Sequence, residues 1–396
     1  MALRILHIAP YGPEAWAYGG IPRVVGAMTG GLAGRGHDVT LCTTDALDAC
    51  DRLPPSGAAG PATRRVFRNI SNRAAYHLQA FAPRGLRRFL DTHAAGFDIA
   101  HIHASHNVLG IMASRALVEA GVPYVVSPNG TAPVLERRRV AKHLLARLGG
   151  ARVLSDAARV LATSDAEARQ LLAMGIERGR VVTVPNPVDL QEFDGVADPV
   201  RFRQEHGLGD RPVVLFLGKI TPRKGVGTVV DAFAQLGMPQ AHLVIAGNDM
   251  GGLASARARA SARGLDGRLT VTGLLRGVAR VDALAAADVV VYPSRDEVFG
   301  LVACEALLAG TPVIVGNDAG AAEVVADAGG GLAVPPGDAG ALASAVAQVL
   351  ARPAEWRERA RAGAARVRAR YSIATVTTML ETVYADVLAA GLQVSA

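Results

Sequence analysis

Short apolar runs alternate with helix-length segments through the first half of the chain. Six of these runs predict strands, at residues 3–9, 39–44, 98–103, 122–127, 158–163 and 181–185. Parallel strands need long crossover connections, and strands covered by helices on both faces are apolar along their whole length. The pattern therefore predicts an α/β unit built on a parallel sheet.

The same pattern restarts after residue 211. Six further runs predict strands, at residues 212–217, 242–246, 269–272, 288–293, 312–315 and 331–334. This second set predicts a second doubly wound unit. Between the sets lies Pro185-Asn186-Pro187, where two prolines fix φ and remove backbone donors, as suits a short, stiff linker. We place the boundary near residues 188–195, which gives domains of 1–190 and 191–371.

The last part of the chain is predicted to be almost continuous helix from residue 353 to residue 390. The helical pattern is interrupted near Arg370-Tyr371-Ser372, and a serine at this point is suited to cap a final helix.

Composition excludes several classes of protein. The chain has 396 residues, of which 50% are hydrophobic and 19% charged, so it is neither disordered nor collagen-like. We expect no signal peptide and no membrane span, because no window approaches the roughly 18 uninterrupted apolar residues that crossing requires. Cys42, Cys50 and Cys304 lack metal-ligand spacing, which disfavours a disulfide framework or a zinc site and favours the reducing cytoplasm.

The charge is basic and uneven. The formal net charge is +7, and residues 52–88 contain no acidic residue but eight arginines: Arg52, Arg64, Arg65, Arg68, Arg73, Arg84, Arg87 and Arg88. Two interpretations stay open, namely a surface that meets an anionic membrane face carrying a lipid-phosphate acceptor, and an ordinary solvated surface. Nucleic acid is disfavoured as a partner, because no recognised binding motif accompanies the charge.

Candidate chemistry should lie in the loops after strands, because ligands of doubly wound sheets bind beyond the carboxyl ends of the strands. The loop at residues 10–20 ends in Gly19-Gly20, and paired glycines let a backbone approach a phosphate or sugar closely. The loop at residues 217–225 carries Lys219 and Lys224, which suit a diphosphate. Each loop also has an ordinary interpretation, as a packing turn or a solvated cationic loop.

The strongest feature follows the predicted strand that ends at residue 293. It places two carboxylates eight residues apart, Glu297 in a loop and Glu305 one turn into a helix that Gly300 would open. Free N–H groups at such a helix start can hold a diphosphate, and a carboxylate can accept hydrogen bonds from both hydroxyls of a ribose. The alternative is that both glutamates are solvated, one of them favoured by the helix dipole.

Together these residues resemble retaining glycosyltransferase family 4. The resemblance rests on Glu297 and Glu305 with the Phe299-Gly300-Leu301 step between them, on the stretch at residues 307–315 (LLAGTPVIV), on the lysine loop and on the Pro185-Asn186 linker. It covers nearly the whole chain. It implies the B-type architecture of two facing Rossmann-like domains, with the donor held mainly by the second domain. It also implies that the last helix, residues 372–396, crosses back to the first domain.

The resemblance implies roles for the candidate residues. Glu305 would bind the ribose, Glu297 the hydroxyls of the donor sugar, and Lys219 with Lys224 the diphosphate. Many relatives have arginine where this chain has Lys219, which keeps the positive charge but loses the planar fork. The implied donor-binding set, in full, is Gly19, Gly20, Lys219, Lys224, Glu297, Phe299, Gly300, Leu301, Val302 and Glu305.

A larger departure lies after the strand at residues 122–127. Many relatives carry a histidine near the reacting sugar there, whereas this chain has Asn129 in the sequence Ser-Pro-Asn-Gly-Thr. An amide cannot take a proton but can position a sugar, and the departing phosphate oxygen can act as the base. We therefore count Asn129 with Glu297, Lys219 and Lys224 as the catalytic set, in a positioning role.

Three histidines follow one another at positions 101, 103 and 106. They invite a metal assignment, but no open-site spacing supports one, so we expect His103 and His106 to line the acceptor cleft beside Asn129. The sequence has no Asp-x-Asp pair, the motif that commonly binds a metal ion and a diphosphate in the other large glycosyltransferase fold. We therefore predict no metal and no other cofactor.

Together with the other sequence features, the resemblance implies a hexosyl-type, retaining, metal-independent glycosyltransferase of the cytoplasm, either free or bound to a membrane face. Its donor would be a nucleotide diphosphate sugar, and its acceptor is open, with a lipid-linked glycan or a natural product as candidates. A dinucleotide-dependent oxidoreductase is disfavoured, because the glycine loop does not give the expected G-x-G-x-x-G. A binding module that has lost turnover stays open because of Asn129.

Overall fold

The computed structural model describes residues 2–54, 61–78, 80–105, 107–131, 150–195 and 197–394. The chain divides into two units. The first comprises Met1–Pro187 together with Ile373–Ala396, and the second comprises Val188–Ser372.

The first unit contains a seven-stranded parallel sheet in the order β3-β2-β1-β4-β5-β6-β7. Its strands are β1 (Arg4–Ile8), β2 (Asp38–Thr44), β3 (Thr63–Phe67), β4 (Ile99–His103), β5 (Tyr124–Ser127), β6 (Arg159–Ala162) and β7 (Val181–Thr183). The helices that cover it, among the residues described, are α1 (Ile21–Gly34), α2 (Asn72–Leu78), α3 (Leu86–His93), α4 (Val108–Glu119), α5 (Ala151–Ser155) and α6 (Asp165–Ala173).

Strand β3 was not predicted from the sequence. It pairs in parallel with β2 at the edge of the sheet, with Thr63 beside Thr40, and none of its five residues is buried. An edge strand with one open side needs no continuous apolar run, so arginines are tolerated in it. The six predicted strands are confirmed as β1, β2, β4, β5, β6 and β7. Two of them, β4 and β5, are buried at every residue.

The second unit contains a six-stranded parallel sheet in the order β10-β9-β8-β11-β12-β13. Its strands are β8 (Val213–Leu217), β9 (His242–Ala246), β10 (Leu269–Gly273), β11 (Val289–Tyr292), β12 (Val313–Gly316) and β13 (Gly331–Val334). Its helices, among the residues described, are α7 (Pro199–Glu205), α8 (Val226–Gln235), α9 (Leu253–Ser261), α10 (Gly277–Ala286), α11 (Leu301–Leu308), α12 (Gly320–Ala328), α13 (Ala339–Ala351) and α14 (Pro353–Tyr371). All six predicted strands are present, which confirms a second doubly wound unit.

The strand order brings particular loops together. In the second unit the order reverses between β8 and β11, which pair in parallel with Val214 beside Val289. The helices that follow such neighbours lie on opposite faces of the sheet, which opens a crevice at the carboxyl edge. The loops after β8 and β11 are two of the three that the sequence singled out for donor chemistry.

The chain returns to the first unit in its last helix, α15 (Ile373–Val394). Helix α15 packs on α1 at Gly31, where a Cβ would lie 2.3 Å from Thr377 Oγ1, and Arg35 pairs with Glu381 at 2.6 Å. Residues Ile373–Gly391 are long and apolar enough to cross a membrane. In the structure one face of the helix is core instead, with Leu380 and Tyr384 fully buried.

Tyr384 also reaches a group of buried histidines. His7 of β1 and His101 and His103 of β4 are all fully buried. His101 lies 2.8 Å from Tyr384 Oη through Nδ1 and 2.8 Å from Ser127 Oγ through Nε2, while His7 Nδ1 lies 2.9 Å from His103 Nε2. Burial lowers the pKa of all three rings, that of His103 to about 3, so the group is neutral at pH 7.

These buried rings predict a loss of stability in mild acid. Unfolded histidine has a pKa of about 6.5, so below that pH the unfolded chain binds more protons than the folded one. Each ring that stays neutral when folded then removes up to about 1.4 kcal/mol of stability per pH unit. We expect the melting temperature to fall from pH 7.5 to pH 5.5, and His7→Gln to flatten that dependence.

The control is His93→Gln, which removes an exposed histidine of α3. This variant should keep the wild-type dependence of melting temperature on pH. An equal flattening in both variants would contradict the assignment of the acid sensitivity to the buried group.

Candidate functional site

Two loops of the second unit meet beyond the carboxyl ends of β8 and β11. The backbone N–H of Arg295 donates to the carbonyl of Arg223 at 3.0 Å, which ties the loops together. Their close approach depends on Gly225, which has φ +76° and whose added Cβ would lie 2.7 Å from the carbonyl oxygen of Pro293. A side chain here would force the loops apart, so glycine is required.

Lys224 and Glu297 form an ion pair between these loops. The lysine is 5% exposed, and its ammonium donates to Glu297 Oε2 and, at 2.5 Å, to the hydroxyl of Tyr292. The Tyr292 hydroxyl donates to the same carboxylate oxygen at 2.8 Å, and the Ser294 hydroxyl donates to it at 3.1 Å. The sequence predicted both charged residues, but it did not predict their contact or the two hydroxyls.

The pair fixes the charge state of the site. Burial alone would raise the pKa of Glu297, but the positive charge and hydrogen bond of Lys224 outweigh it and lower the pKa to about 2. Burial and the adjacent Glu297 raise the pKa of Tyr292, so that residue stays a neutral phenol. At neutral pH the site therefore presents an ionised carboxylate with a hydrogen-bonded Oε2, and an ammonium beside it.

Helix α11 starts directly after this loop. Its N-cap is Gly300, at φ +83°, where an added Cβ would lie 2.7 Å from Ala321 Cβ, and no side chain caps the helix in the described structure. The first turn of a helix offers backbone N–H groups and the positive end of the dipole. Phe299 is 3% exposed and packs against the Tyr371 ring, while Leu301 and Val302 are half-buried. These three side chains shape the loop rather than supply polar contacts.

Glu305 lies one turn further along α11 and is only 2% exposed. Its Oε2 is paired with the guanidinium of Arg280 on α10, a residue that is itself 4% exposed. The sequence predicted Glu305 but missed Arg280. A signal existed, because Arg280 lies three and four residues before the buried Ala283 and Leu284, on the apolar side of its helix.

The remaining donor candidates are placed less specifically. Lys219 is half-buried at the start of the loop after β8. Gly19, at φ +101°, and Gly20, the N-cap of α1, lie in the first unit at the end of the loop after β1. Their predicted roles stay predictions.

Asn129 occupies a strained position in the first unit. It has φ +50° in the loop after β5, is 8% exposed, and donates from Nδ2 to the Ser127 carbonyl at 3.3 Å. Its Oδ1 is buried and has no hydrogen-bond partner among the described residues. Buried amide oxygens are rarely left unpaired, so Oδ1 is an acceptor that the described residues do not use.

The loop that carries Asn129 is anchored by Glu167, which the sequence did not identify. Glu167 is fully buried and accepts hydrogen bonds from the N–H of Gly130 at 2.6 Å and from the N–H and hydroxyl of Thr163 at 2.8 Å each. Burial raises its pKa, and these hydrogen bonds oppose that rise. The only sequence signal was a glutamate three residues after Ser164, typical of a capping box.

The histidine predictions have mixed outcomes. His103 does not lie at a surface: it is fully buried beside His7, because both lie on inward-facing positions of paired strands. His106 lies outside the described residues. One nitrogen atom each of His7, His101 and His103 lies within 4.8 Å of the other two, a spacing that could hold a metal ion. Hydrogen bonds to Ser127, to Tyr384 and between rings already account for most of these nitrogens.

Comparisons with known proteins agree with this geometry. Residues 200–367 match the family described as Glycosyl transferases group 1, and residues 19–187 match the Glycosyl transferase 4-like domain. The chain is 32% identical to D-inositol 3-phosphate glycosyltransferase 2 of Catenulispora acidiphila over 381 residues, which cover 89% of this chain and 87% of that protein. It is also 32% identical to D-inositol 3-phosphate glycosyltransferase of Mycolicibacterium smegmatis, over 81% of this chain and 76% of that protein.

Solved structures share the fold. Anabaena Alr3699/HepE in complex with UDP superposes with a TM-score of 0.77 at 19% identity, over 97% of this chain and 100% of that one. Sucrose-phosphate synthase from Thermosynechococcus elongatus gives a TM-score of 0.76 at 24% identity, over 98% and 100%. The chain is thus a family 4 glycosyltransferase of the group 1 type, with the B-type architecture of two Rossmann-like domains.

Proposed function

We propose that this glycosyltransferase moves a hexose from a nucleoside diphosphate sugar to an acceptor hydroxyl with retention of configuration and without a metal ion. The observation that carries the proposal is the Lys224–Glu297 pair at the crevice beside the start of α11. Ligands of doubly wound sheets bind at this edge. Structures similar in fold are described as complexes with UDP and with UDP-glucose, which supports a nucleotide sugar as donor.

The proposed donor contacts follow from charge and position. Lys219, Lys224 and the free N–H groups of α11 bind the diphosphate. Three side chains contact Oε2 of Glu297, namely those of Lys224, Tyr292 and Ser294. Oε1 of Glu297 therefore accepts hydroxyls of the transferred sugar. Glu305 accepts the ribose hydroxyls.

The proposed chemistry needs no ionising side chain at Asn129. The glycosidic bond to the phosphate oxygen breaks while the acceptor oxygen bonds to the same face of the sugar. The acceptor proton passes to the departing phosphate oxygen. Asn129 orients the sugar through its buried Oδ1, which has no other partner among the described residues.

The acceptor is proposed to be anionic or held at an anionic membrane face on the cytoplasmic side. Of the eight arginines between residues 52 and 88, three are paired with carboxylates, namely Arg52, Arg64 and Arg87. The other five are exposed: Arg65, Arg68, Arg73, Arg84 and Arg88. A panel of acceptors tests this proposal. It should include D-inositol 3-phosphate, which the names of the relatives mention, and lipid-linked glycans in anionic vesicles.

The second candidate function is a nucleotide-sugar-binding module without turnover. It stays open because this chain has Asn129 where many relatives carry a histidine. Transfer and hydrolysis assays across UDP-, GDP- and ADP-sugars separate the two. Donor binding with neither transfer nor hydrolysis on any acceptor would favour the module.

Glu305→Ala should weaken binding of the nucleoside diphosphate by about 5- to 150-fold, because ribose hydroxyls lose an acceptor worth about 1–3 kcal/mol. Isothermal titration calorimetry with UDP, GDP and ADP measures the change. Glu358→Ala, an exposed glutamate of α14, is the control and should bind as the wild type does. Equal affinity in the two variants would remove Glu305 from the donor site.

Transfer should survive chelation. The diphosphate charge is met by Lys219, Lys224 and the start of α11, so dialysis against EDTA should leave the rate nearly unchanged. Initial rates before and after adding back magnesium or manganese measure this. A strict requirement for either ion would contradict a metal-independent mechanism.

Asn129→Ala should lower turnover through lost orientation of the sugar, whereas Asn129→His should not give the roughly 10²- to 10⁴-fold gain of a restored general base. Because residue 129 has φ +50°, alanine also strains the backbone, and Asn129→Gly separates that strain from loss of the amide. The measurement is kcat against pH. A large gain in the histidine variant with a new acidic limb would show that the enzyme lacks a base it needs.

A further inference from the structure

A buried guanidinium joins two carboxylates in the second unit. Arg280 is 4% exposed and pairs through Nη1 with Glu305 and through Nη2 with Glu192, which lies in the turn Gln191–Phe193. Its guanidinium carbon lies 5.6 Å from the centre of the Phe193 ring. An arginine so deep is tolerated only where paired carboxylates and hydrogen bonds replace the lost water.

The pairing with Arg280 stabilises the buried position of Glu305. Glu305 is 2% exposed, and a carboxylate withdrawn from water to this extent is ionised only beside a cation. An ionised carboxylate accepts hydrogen bonds on both oxygens, whereas a protonated one donates from one of them. Glu305 can therefore accept two neighbouring hydroxyls of a ligand only while Arg280 stays in place.

The two contacts of Arg280 also restrain the orientation of Glu305. Arg280 contacts Oε2 of Glu305, and a planar guanidinium fixed at its other end by Glu192 restricts how the carboxylate rotates. The same unit offers a contrasting pair, Arg201 with Asp282, in which the arginine side chain is 47% exposed. That pair shares helix α10 with Arg280 but does not include Glu305.

We propose that Arg280 is a positioning residue for nucleoside recognition. It keeps Glu305 ionised and oriented so that this carboxylate accepts the 2′- and 3′-hydroxyls of the donor ribose. Glu192 anchors Arg280 from the other side. This inference rests on the proposed function, in which Glu305 binds the ribose.

The experiment compares two ligands that differ only in those hydroxyls, UDP and 2′,3′-dideoxy-UDP, with the corresponding GDP and ADP pairs run in parallel. Dissociation constants are measured by calorimetry for the full chain and for Arg280→Lys, Arg280→Gln, Glu305→Gln and Arg280→Lys/Glu305→Gln. Arg280→Lys keeps the buried charge, so it tests the proposal even if Arg280→Gln does not fold. Arg201→Lys is the matched control.

We expect the wild type to prefer the ribonucleotide by about tenfold or more. Arg280→Gln should abolish this preference and Arg280→Lys reduce it, with affinity for the dideoxy analogue unchanged. In the Glu305→Gln background, Arg280→Lys should cause no further loss of affinity for the ribonucleotide. Arg201→Lys should keep the wild-type preference.

Other outcomes overturn the inference in distinguishable ways. If Glu305→Gln abolishes the preference while the Arg280 variants keep it, the ribose assignment stands and the role of Arg280 is wrong. If the Arg280 variants weaken both ligands equally, Arg280 acts on the fold and not on the ribose. If Glu305→Gln keeps the preference, or no diphosphate binds the wild type, the proposed function fails and the inference fails with it.

Discussion

A charged side chain that is buried needs a partner of opposite charge, and two such pairs lie at helix α11 of the second unit. Lys224 and Arg280 are each about 5% exposed or less, and each meets one of two glutamates that lie eight residues apart, Glu297 and Glu305. An unpaired ion at such depth would destabilise the fold by several kcal/mol. The two pairs therefore tie the loop after β8 to the loop before α11, and helix α10 to α11 itself.

The first unit meets the same constraint with neutral groups. His7, His101 and His103 are fully buried, and among the described residues their hydrogen bonds run to Ser127 and Tyr384 and between rings, with no charged partner. A neutral imidazole both donates and accepts, so rings and hydroxyls can pair with one another without a net charge, and of these ring nitrogens only His103 Nδ1 has no partner in the described part of the chain. The consequence is structural. Tyr384, which closes the chain of contacts, joins the last helix of the protein to the first sheet.

The sequence predicted the sheets well because parallel strands buried on both faces leave long apolar runs. It missed the edge strand β3 because Arg64 and Arg65 interrupt its apolar run. The sequence placed Glu297 and Lys224 in loops after strands. They are 73 residues apart and come together only because β8 and β11 are adjacent strands of the sheet. The sequence did not show that side chains of β1, β5 and α15 surround the histidines of β4. His103 is therefore fully buried and does not line a cleft as expected. Arg280 and Glu167 were missed because charged residues are usually exposed. Glu192 and Glu305, the partners of Arg280, and Gly130, a partner of Glu167, also lie in other elements of the fold.

The charges of the loop after β8 bear on the proposed binding of a diphosphate. Residues 219–224 carry three formal positive charges, on Lys219, Arg223 and Lys224, and one of these is balanced by Glu297. In the function we propose, this net charge of about two and the dipole of α11 offset the roughly two negative charges of a diphosphate ester. The pairing with Glu297 also explains why Lys224 is the buried member of the three. The same ammonium also donates to the Tyr292 hydroxyl, so one side chain ties the loop after β8 both to the end of β11 and to the loop that follows it.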